Sequence, residues 1–291
     1  MDAEPGVWTG EHAGAMSPPP APPGEDRDIF GRTPRTRPDW SHRRGEPRVF
    51  ALGWTLYLML CTVLMFGTIA MHPRSLGGEL YRPAARTLVV LIAVGIAVLW
   101  PMVRLSQAAP ERRTPAHVLA DVLVLLIPAQ ALLWPQRVLA GWPLEVIAGQ
   151  SALLGAWALL IGGVLAGALS LARTGPDARG GVGAGQMAVR AGAMLGVVAL
   201  VSVGPLLAMR EGPARSPETT LPGWSLSPVL GVYELGRDRL ASGQPAEMLP
   251  EHWRGIAATA FAGCGVFLWG ALVSVLAPRR DGFLAAGEVK A

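Results

Sequence analysis

Asp121 is an acidic residue inside an almost wholly apolar stretch, HVLADVLVLLIPAQALLW, which covers residues 117–134. A carboxylate inside a membrane-crossing helix can carry protons or bind a substrate, because a charge is costly in lipid and rarely persists there without a role. A structural interpretation competes with this one. Asp121 lies in the first turn of the predicted helix 118–134, where the helix dipole favours a negative group and water is within reach. We therefore interpret Asp121 as a cap-like structural carboxylate and keep the proton or substrate site as the alternative.

Gln130 and Gln150 place two amide side chains near the ends of consecutive apolar segments. By helical rise, Gln130 lies roughly 6 Å inside the end of segment 118–134, and Gln150 lies at a similar depth in segment 147–171. Two amides at one depth on antiparallel neighbours can bond to each other, which is worth about 1 kcal/mol in a membrane. We expect this pair to hold helices together and not to catalyse a reaction.

The remaining reactive side chains do not form a recognisable reaction centre. The five histidines lie in tails, connectors or segment ends, and no two of them have the i, i+4 spacing of a zinc site. The two cysteines are isolated inside apolar segments, and neither a GxSxG nor a Walker A motif occurs. The sequence therefore predicts no catalytic residues, no metal and no cofactor.

The polar side chains belong to a chain whose apolar runs are long enough to cross a bilayer. The chain of 291 residues is 51% hydrophobic and 16% charged, and about 20 helical residues cross a hydrocarbon core of about 30 Å. We predict an all-α fold, a polytopic membrane helical bundle with six transmembrane helices. The predicted spans are residues 50–71, 84–105, 118–134, 147–171, 187–209 and 256–277.

The arginines predict the orientation of these spans, because positive charge close to span ends stays in the cytoplasm. Residues 1–48 carry seven arginines, and the segment 279–291 begins with two more. Both termini are therefore predicted to be cytoplasmic, and the proline-rich residues 1–48 to be a disordered tail. Arg74 and Arg82 do not fit this orientation, because they would lie outside with only Glu79 opposing them. The pattern favours the inner membrane of a bacterium.

The long connector of residues 210–255 is predicted to lie outside the membrane. Within it, Ser227 is positioned as a helix cap and Pro228 falls in the first turn of a short amphipathic helix over residues 227–242. This helix is expected either to lie on the outer surface and dip into it, or to pack on the bundle as an ordinary loop helix. The sequence leaves both arrangements open.

Two GxxxG patterns lie at similar depths in the fourth and fifth predicted spans. Gly163 and Gly167 form the first pattern, and Gly192 and Gly196 form the second. Small residues allow helix backbones to approach closely, so spans 4 and 5 are predicted to cross there. The alternative is that the same surface forms a homodimer.

Two parts of the sequence resemble the permease subunits of type-2 ABC transporters. They are the connector APERRTPAH, residues 109–117, and the short helix that begins with Ser227 and Pro228. Those permeases carry an acidic and basic run followed by threonine in the segment that touches the ATPase, and a short helix in a long outer connector before the last span. The resemblance implies that Glu111, Arg112, Arg113 and Thr114 contact a cytosolic ATPase subunit. It also implies a chain that dimerises and moves a substrate without hydrolysing ATP itself.

Two functions follow as hypotheses. The first is a permease-like membrane subunit that is coupled to a separate ATPase and moves a hydrophobic or lipid-like substrate, because the predicted spans contain few polar residues. The alternative is a structural or assembly subunit without a transport path. The lipid bilayer is the expected environment in both cases. Nucleic acid is excluded as a partner, because positive flanks of membrane spans account for the net charge of +4.

Overall fold

The computed structural model describes residues 47–70, 78–107, 114–172, 184–211, 219–239 and 246–276. Within these ranges the chain is 89% helical and contains no strand, which confirms the predicted all-α fold. Most of the two predicted tails lies outside the described residues. The same holds for Glu111, Arg112 and Arg113 of the predicted ATPase contact.

Nine α-helices follow one another along the described residues, and we number them in chain order. A π turn interrupts the second long helix, and a 3₁₀ turn precedes the short helix α8. The elements are α1 Pro47–Ala70, α2 Gly78–Val94, the π turn Gly95–Leu99, α3 Trp100–Ser106, α4 Thr114–Leu133, α5 Gln136–Leu139, α6 Leu144–Ala172, α7 Ala184–Glu211, the 3₁₀ turn Trp224–Leu226, α8 Pro228–Leu235 and α9 Pro250–Leu276.

Among the described residues, six helical stretches are long and apolar enough to cross a membrane, which confirms the predicted number of spans. This is the architecture of a multi-pass membrane protein. The stretches, called spans 1 to 6 below, are Val49–Gly67, Tyr81–Ser106, Thr114–Leu139, Leu144–Ala172, Gly185–Arg210 and Pro250–Leu276. All six begin earlier than predicted, span 3 by four residues and span 6 by six. Asp121 consequently lies two turns inside α4, and His252 lies in the last span.

Helix α6 forms the centre of the bundle, and α9 is its closest neighbour. A Cβ atom added at Gly163 would lie 2.5 Å from the backbone nitrogen of Phe267, and one added at Gly263 would lie 2.6 Å from the carbonyl oxygen of Ala156. The two backbones therefore touch, which only glycine at these positions allows.

The contact of α6 with α9 differs from the predicted crossing of spans 4 and 5. Gly163 and Gly167 face α9, whereas a Cβ added at Gly192 or Gly196 would meet no atom of the described residues within 4 Å. The physical reason is that a GxxxG pattern does not specify its partner helix. Helix α9 offers small residues of its own, Gly263 and Gly270, and so accepts the close approach.

Span 1 binds the irregular backbone of spans 2 and 3 through two aromatic side chains. The hydroxyl of Tyr57 donates to the carbonyl of Leu91 at 2.7 Å, just before the π turn. The indole N–H of Trp54 donates to the carbonyl of Leu125 at 3.0 Å, in the region where Pro128 interrupts the hydrogen bonding of α4. Both rings pack on Gly95, where a Cβ would lie 2.5 Å from the ring of Tyr57. These bonds satisfy backbone groups that lipid could not.

Helix α8 packs on the bundle, which decides between the two arrangements left open above. Val232 and Leu235 are buried, and a Cβ at Gly231 would lie 2.6 Å from the side chain of Leu153 in α6. The helix begins after Ser227 as predicted, with Pro228 in its first turn. It ends at Leu235, well before the predicted end at residue 242.

Candidate functional site

Arg104 and Asp121 form a buried ion pair between α3 and α4. Asp121 is fully buried, and the Nε and Nη2 groups of Arg104 both donate to its carboxylate. Two parallel bonds of this kind are the strongest arrangement of a guanidinium and a carboxylate. The indole of Trp100 lies 3.4 Å from the same carboxylate, and the side chain of Gln107 accepts a bond from Arg104 at 2.8 Å. The pair is therefore held from several directions.

This geometry changes the interpretation of Asp121. The sequence predicted a cap-like carboxylate in the first turn of its helix, whereas the structure gives Asp121 a specific cationic partner on another element. In the sequence, Arg104 is one of several arginines close to the predicted end of a span. The sequence does not reveal that Arg104 and Asp121 pair across the connector, because nothing in it indicates which of the nearby arginines faces the interior of the bundle. The arrangement favours a structural or positioning role over the proton or substrate site.

A second ion network lies at the opposite end of the bundle, around α8. Glu234 of α8 is buried, and its carboxylate lies 3.1 Å from Arg237 Nε, 3.5 Å from Arg239 Nη2 and 3.6 Å from His252 Nε2. His252 is fully buried and accepts a bond from the backbone N–H of Leu249 through Nδ1. The network ties α8 to the start of α9.

Asp238 extends this network to the start of span 2. Arg86 donates to Asp238 and, through Nε, to the carbonyl of Gly236 at 2.7 Å. Arg82 lies 3.7 Å from the other carboxylate oxygen of Asp238 and donates to the carbonyl of Ala140 at 3.2 Å. Arg82 did not fit the positive-inside pattern, and the structure supplies its counter-charge from the long connector. We call Glu234, Asp238 and their arginine and histidine partners the α8 network.

The two predicted amides are not bonded to each other. Gln130 accepts bonds from Ser151 at 2.8 Å and from its own helix neighbour Trp134 at 3.0 Å. It does therefore link spans 3 and 4, with Ser151 in place of Gln150. Gln150, the residue before Ser151, is fully buried. Its amide has no hydrogen-bond partner among the described residues. Adjacent residues of one helix point about 100° apart, so only one of the two can face Gln130.

Span 2 connects the two ion sites. Its first half carries Arg82 and Arg86, which bind the α8 network, and its second half carries Trp100 and Arg104, which bind Asp121. The π turn Gly95–Leu99 separates the halves. Pro101 explains the turn, since it has no N–H to bond to the carbonyl of Ala97 and its ring would clash there.

Thr114 is the one member of the predicted ATPase contact that the structure describes. It is the first residue of α4 and is buried, two turns before Asp121. The residues between Gln107 and Thr114 join the two helices that the Arg104 to Asp121 pair holds together.

Comparisons with known proteins leave the family of the chain open. No family model matches it, and neither does any curated protein or solved structure. The group of His, Cys, Asp and Glu side chains that a metal ion needs does not occur among the described residues.

The α8 network is the feature that sequence reasoning missed. Arg82 was an exception to the orientation rule, and Arg237 and Arg239 fall within the predicted amphipathic helix of residues 227–242. Both signals were present, but each was explained separately. An unopposed arginine on the predicted outer side and an acidic residue in the outer connector together indicate an ion pair.

Proposed function

We propose that the chain is the permease-like subunit of a membrane transporter and moves a hydrophobic or lipid-like substrate with the help of a separate ATPase. The observation that carries this proposal is span 2, one helix whose halves belong to different ion sites. Arg82 and Arg104 are 22 residues apart, or about 33 Å by helical rise. The span therefore links both ends of the bundle through a π turn near its middle.

The π turn gives span 2 a place where the orientation of its halves can change. Such turns occur often at functional sites, because they break the regular hydrogen bonding of a helix at one point. The carbonyl of Leu91 is bonded by Tyr57 just before the turn, so part of the irregular backbone remains satisfied by another span. Motion at one end of span 2 can then be passed to the other end without unfolding it.

A partner bound at the predicted ATPase contact would drive such a motion. Glu111, Arg112 and Arg113 belong to the connector that joins α3 to α4, directly between the two helices bearing Arg104 and Asp121. A partner that pulls on this connector acts on the ion pair, then on α3 and the π turn. In this proposal the end that carries the connector is cytoplasmic and the α8 network is outside.

A lipid-like substrate suits the surface of the bundle better than a small ion does. The ion networks described above lie near the ends of the spans, and long apolar side chains such as Leu195 and Phe261 cover the outer faces of spans 5 and 6. A hydrophilic ion would require polar side chains at intermediate depths. An amphiphile can move with its tails in the bilayer and its polar part along the ends and edges of the bundle.

A structural or assembly subunit is the second candidate, and span 5 favours it. Only 11% of an apolar 18-residue window of this span is buried against the described residues, compared with 72% in span 4. Gly192 and Gly196 lie on it with open space at their Cβ positions. A span of this kind can bind another subunit as readily as it faces lipid.

Purification separates the two candidates. The tagged chain is isolated from its native membrane in mild detergent, and the accompanying proteins are identified by mass spectrometry. The permease proposal predicts a stoichiometric nucleotide-binding ATPase, which is lost from the variant with Glu111→Ala and Arg112→Ala while the unfolding temperature stays unchanged. Replacement of Arg254, an exposed arginine at the other end, by Ala is the matched control and retains the ATPase. Other membrane subunits without an ATPase would support the structural candidate.

A further inference from the structure

The α8 network has an excess of donors on the side that faces span 2. Arg82 and Arg86 both face Asp238, so two guanidinium groups meet one carboxylate. The side chains of all three are only partly buried, with 19 to 24% of their surface exposed. The contact of Arg82 with Asp238 is loose, at 3.7 Å. An additional anionic group can therefore approach Arg82 from the surface.

Two buried side chains beneath these arginines carry polar atoms without a partner. Both amide atoms of Gln150 and the indole N–H of Trp142 have no hydrogen-bond partner within the described part of the chain. Gln150 is fully buried and Trp142 is 1% exposed. Buried polar groups in folded proteins are nearly always bonded to protein, to water or to a ligand. These atoms therefore indicate an occupant.

Gly236 brings these groups together at one point. A Cβ atom at Gly236 would lie 3.2 Å from Gln150 Nε2, 3.2 Å from the indole of Trp142 and 3.4 Å from the side chain of Arg86. The backbone of Gly236 thus covers two unpartnered donors, and its carbonyl is bound by Arg86. An anion that binds the two arginines also releases the carbonyl of Gly236 from Arg86. The turn at Gly236 can then move away from the donors of Gln150 and Trp142.

We propose that Arg82, Arg86, Gln150 and Trp142 form a binding site for the phosphate-bearing headgroup of a membrane lipid. The four side chains supply charged and neutral donors, which is the chemistry that recognises phosphate. Asp238 occupies the site in the absence of lipid, because among the described residues it is the carboxylate that both arginines face. The headgroup displaces Asp238 and accepts bonds from the arginines, and the N–H groups of Gln150 and Trp142 complete its shell.

The position of the site favours a lipid over a free anion. Arg82 is the second residue of span 2, and Trp142 stands two residues before span 4. Headgroups lie at the ends of membrane spans. Trp134, Tyr233 and Trp253 are exposed at the same end of the bundle. Exposed aromatic side chains of this kind mark the boundary between headgroups and hydrocarbon.

Native mass spectrometry of the purified full chain in detergent tests the proposal, with titration of phosphatidylglycerol and of phosphatidylcholine. We expect one phosphatidylglycerol to bind in preference to phosphatidylcholine. Arg82→Gln is expected to weaken its binding about tenfold, since one charge-assisted contact is lost. Arg254→Gln, which removes an exposed arginine at the same end, is the control and leaves the affinity unchanged. Asp238→Asn is expected to act in the opposite direction and to tighten binding.

Gln150→Leu distinguishes a ligand-binding amide from a structural one. The proposal predicts weaker phosphatidylglycerol binding and an unchanged unfolding temperature without lipid, because the amide makes no bond within the described protein. An unchanged affinity with a lower unfolding temperature would mean that Gln150 only holds a buried water, and would overturn its role.

Three further results would contradict the lipid site. Equal binding of the two lipids would do so, as would equal losses in Arg82→Gln and Arg254→Gln. A rise of the unfolding temperature with inorganic phosphate that matches the rise with phosphatidylglycerol would assign the site to a free anion. Lipid binding at this site does not depend on transport, and its measurement needs neither an ATPase nor movement of a substrate. If the chain bound the lipid but did not transport a substrate, the lipid site would stand and only the proposed function would be rejected.

Discussion

Arg104 and Asp121 pair across the connector between α3 and α4, with two nitrogens of the guanidinium bonded to one fully buried carboxylate. The pair fixes the second half of span 2 against span 3, next to the predicted ATPase contact. Its counterpart at the other end is the pairing of Arg82 and Arg86 with Asp238. An ion pair thus links the spans at each end of the bundle. Either partner alone would be costly to bury.

Asp121→Asn is expected to destabilise the bundle, because Arg104 would remain buried without its counter-charge. Loss of one partner from a buried pair costs about 3 to 5 kcal/mol. The measurement is thermal unfolding in detergent, with Glu145→Gln, an exposed carboxylate at the start of α6, as the control. Replacing both residues together, Arg104→Met with Asp121→Leu, is expected to recover most of the loss. If the Asp121→Asn variant were as stable as the wild type, the pair would have no structural role.

Gly163→Leu is expected to disrupt the contact of α6 with α9, since the new side chain would collide with the backbone of Phe267. Overpacking of this kind costs about 1 to 3 kcal/mol, and more where backbone must shift. Gly192→Leu is the matched variant, because the structure gives its Cβ open space. The same unfolding temperature for both variants would contradict the assigned helix pairing. A loss of dimer only in Gly192→Leu, measured by sedimentation, would support the homodimer that the sequence left open.

Glu234→Gln is expected to weaken the attachment of α8, because Arg237 and Arg239 would lose their shared carboxylate. The expected cost is about 3 kcal/mol or more, as for other broken buried pairs. Hydrogen exchange of residues 228–239 measures the effect directly and is expected to accelerate. Glu247→Gln, at an exposed position of the same connector, provides the control. Unchanged exchange in Glu234→Gln would mean that apolar packing alone holds α8.

Trp54→Phe removes the indole N–H that bonds to the carbonyl of Leu125 but keeps most of the aromatic packing. The buried carbonyl would lose a partner near the proline of α4, at a cost of about 1 to 3 kcal/mol. Trp253→Phe, on the exposed side of α9, is expected to change the unfolding temperature little. Equal effects of the two substitutions would argue against a specific role of span 1 in binding span 3.

Hydropathy predicted the helical class, the number of spans and their approximate bounds. These features depend on the bilayer thickness and on local composition, so a single sequence contains them. The sequence alone does not indicate which helices pack against each other. Gly163 could have met any small surface, and the structure shows that α9 supplies it.

The polar sites were predictable only in part. Asp121 and Gln150 stood out as polar residues in apolar segments, but their surroundings depend on how distant elements pack. Arg104 and Ser151 looked ordinary in the sequence and became partners only in the fold. The predicted contact Glu111 to Arg113 lies outside the described residues, so it stays a prediction, as do the orientation and the ATPase.

Pro101→Ala, in the chain reconstituted with its proposed ATPase, tests the central claim of the proposed function, that span 2 passes motion between the two ends through its π turn. The purified complex is placed in liposomes that contain a fluorescent phospholipid, and ATP-dependent movement of that lipid between leaflets is followed with ATP hydrolysis. We predict movement by the wild type, and in Pro101→Ala a loss of movement with hydrolysis retained, because the regular helix no longer bends. The claim would be contradicted if the variant moved lipid as fast as the wild type while circular dichroism and a solved structure showed its π turn removed.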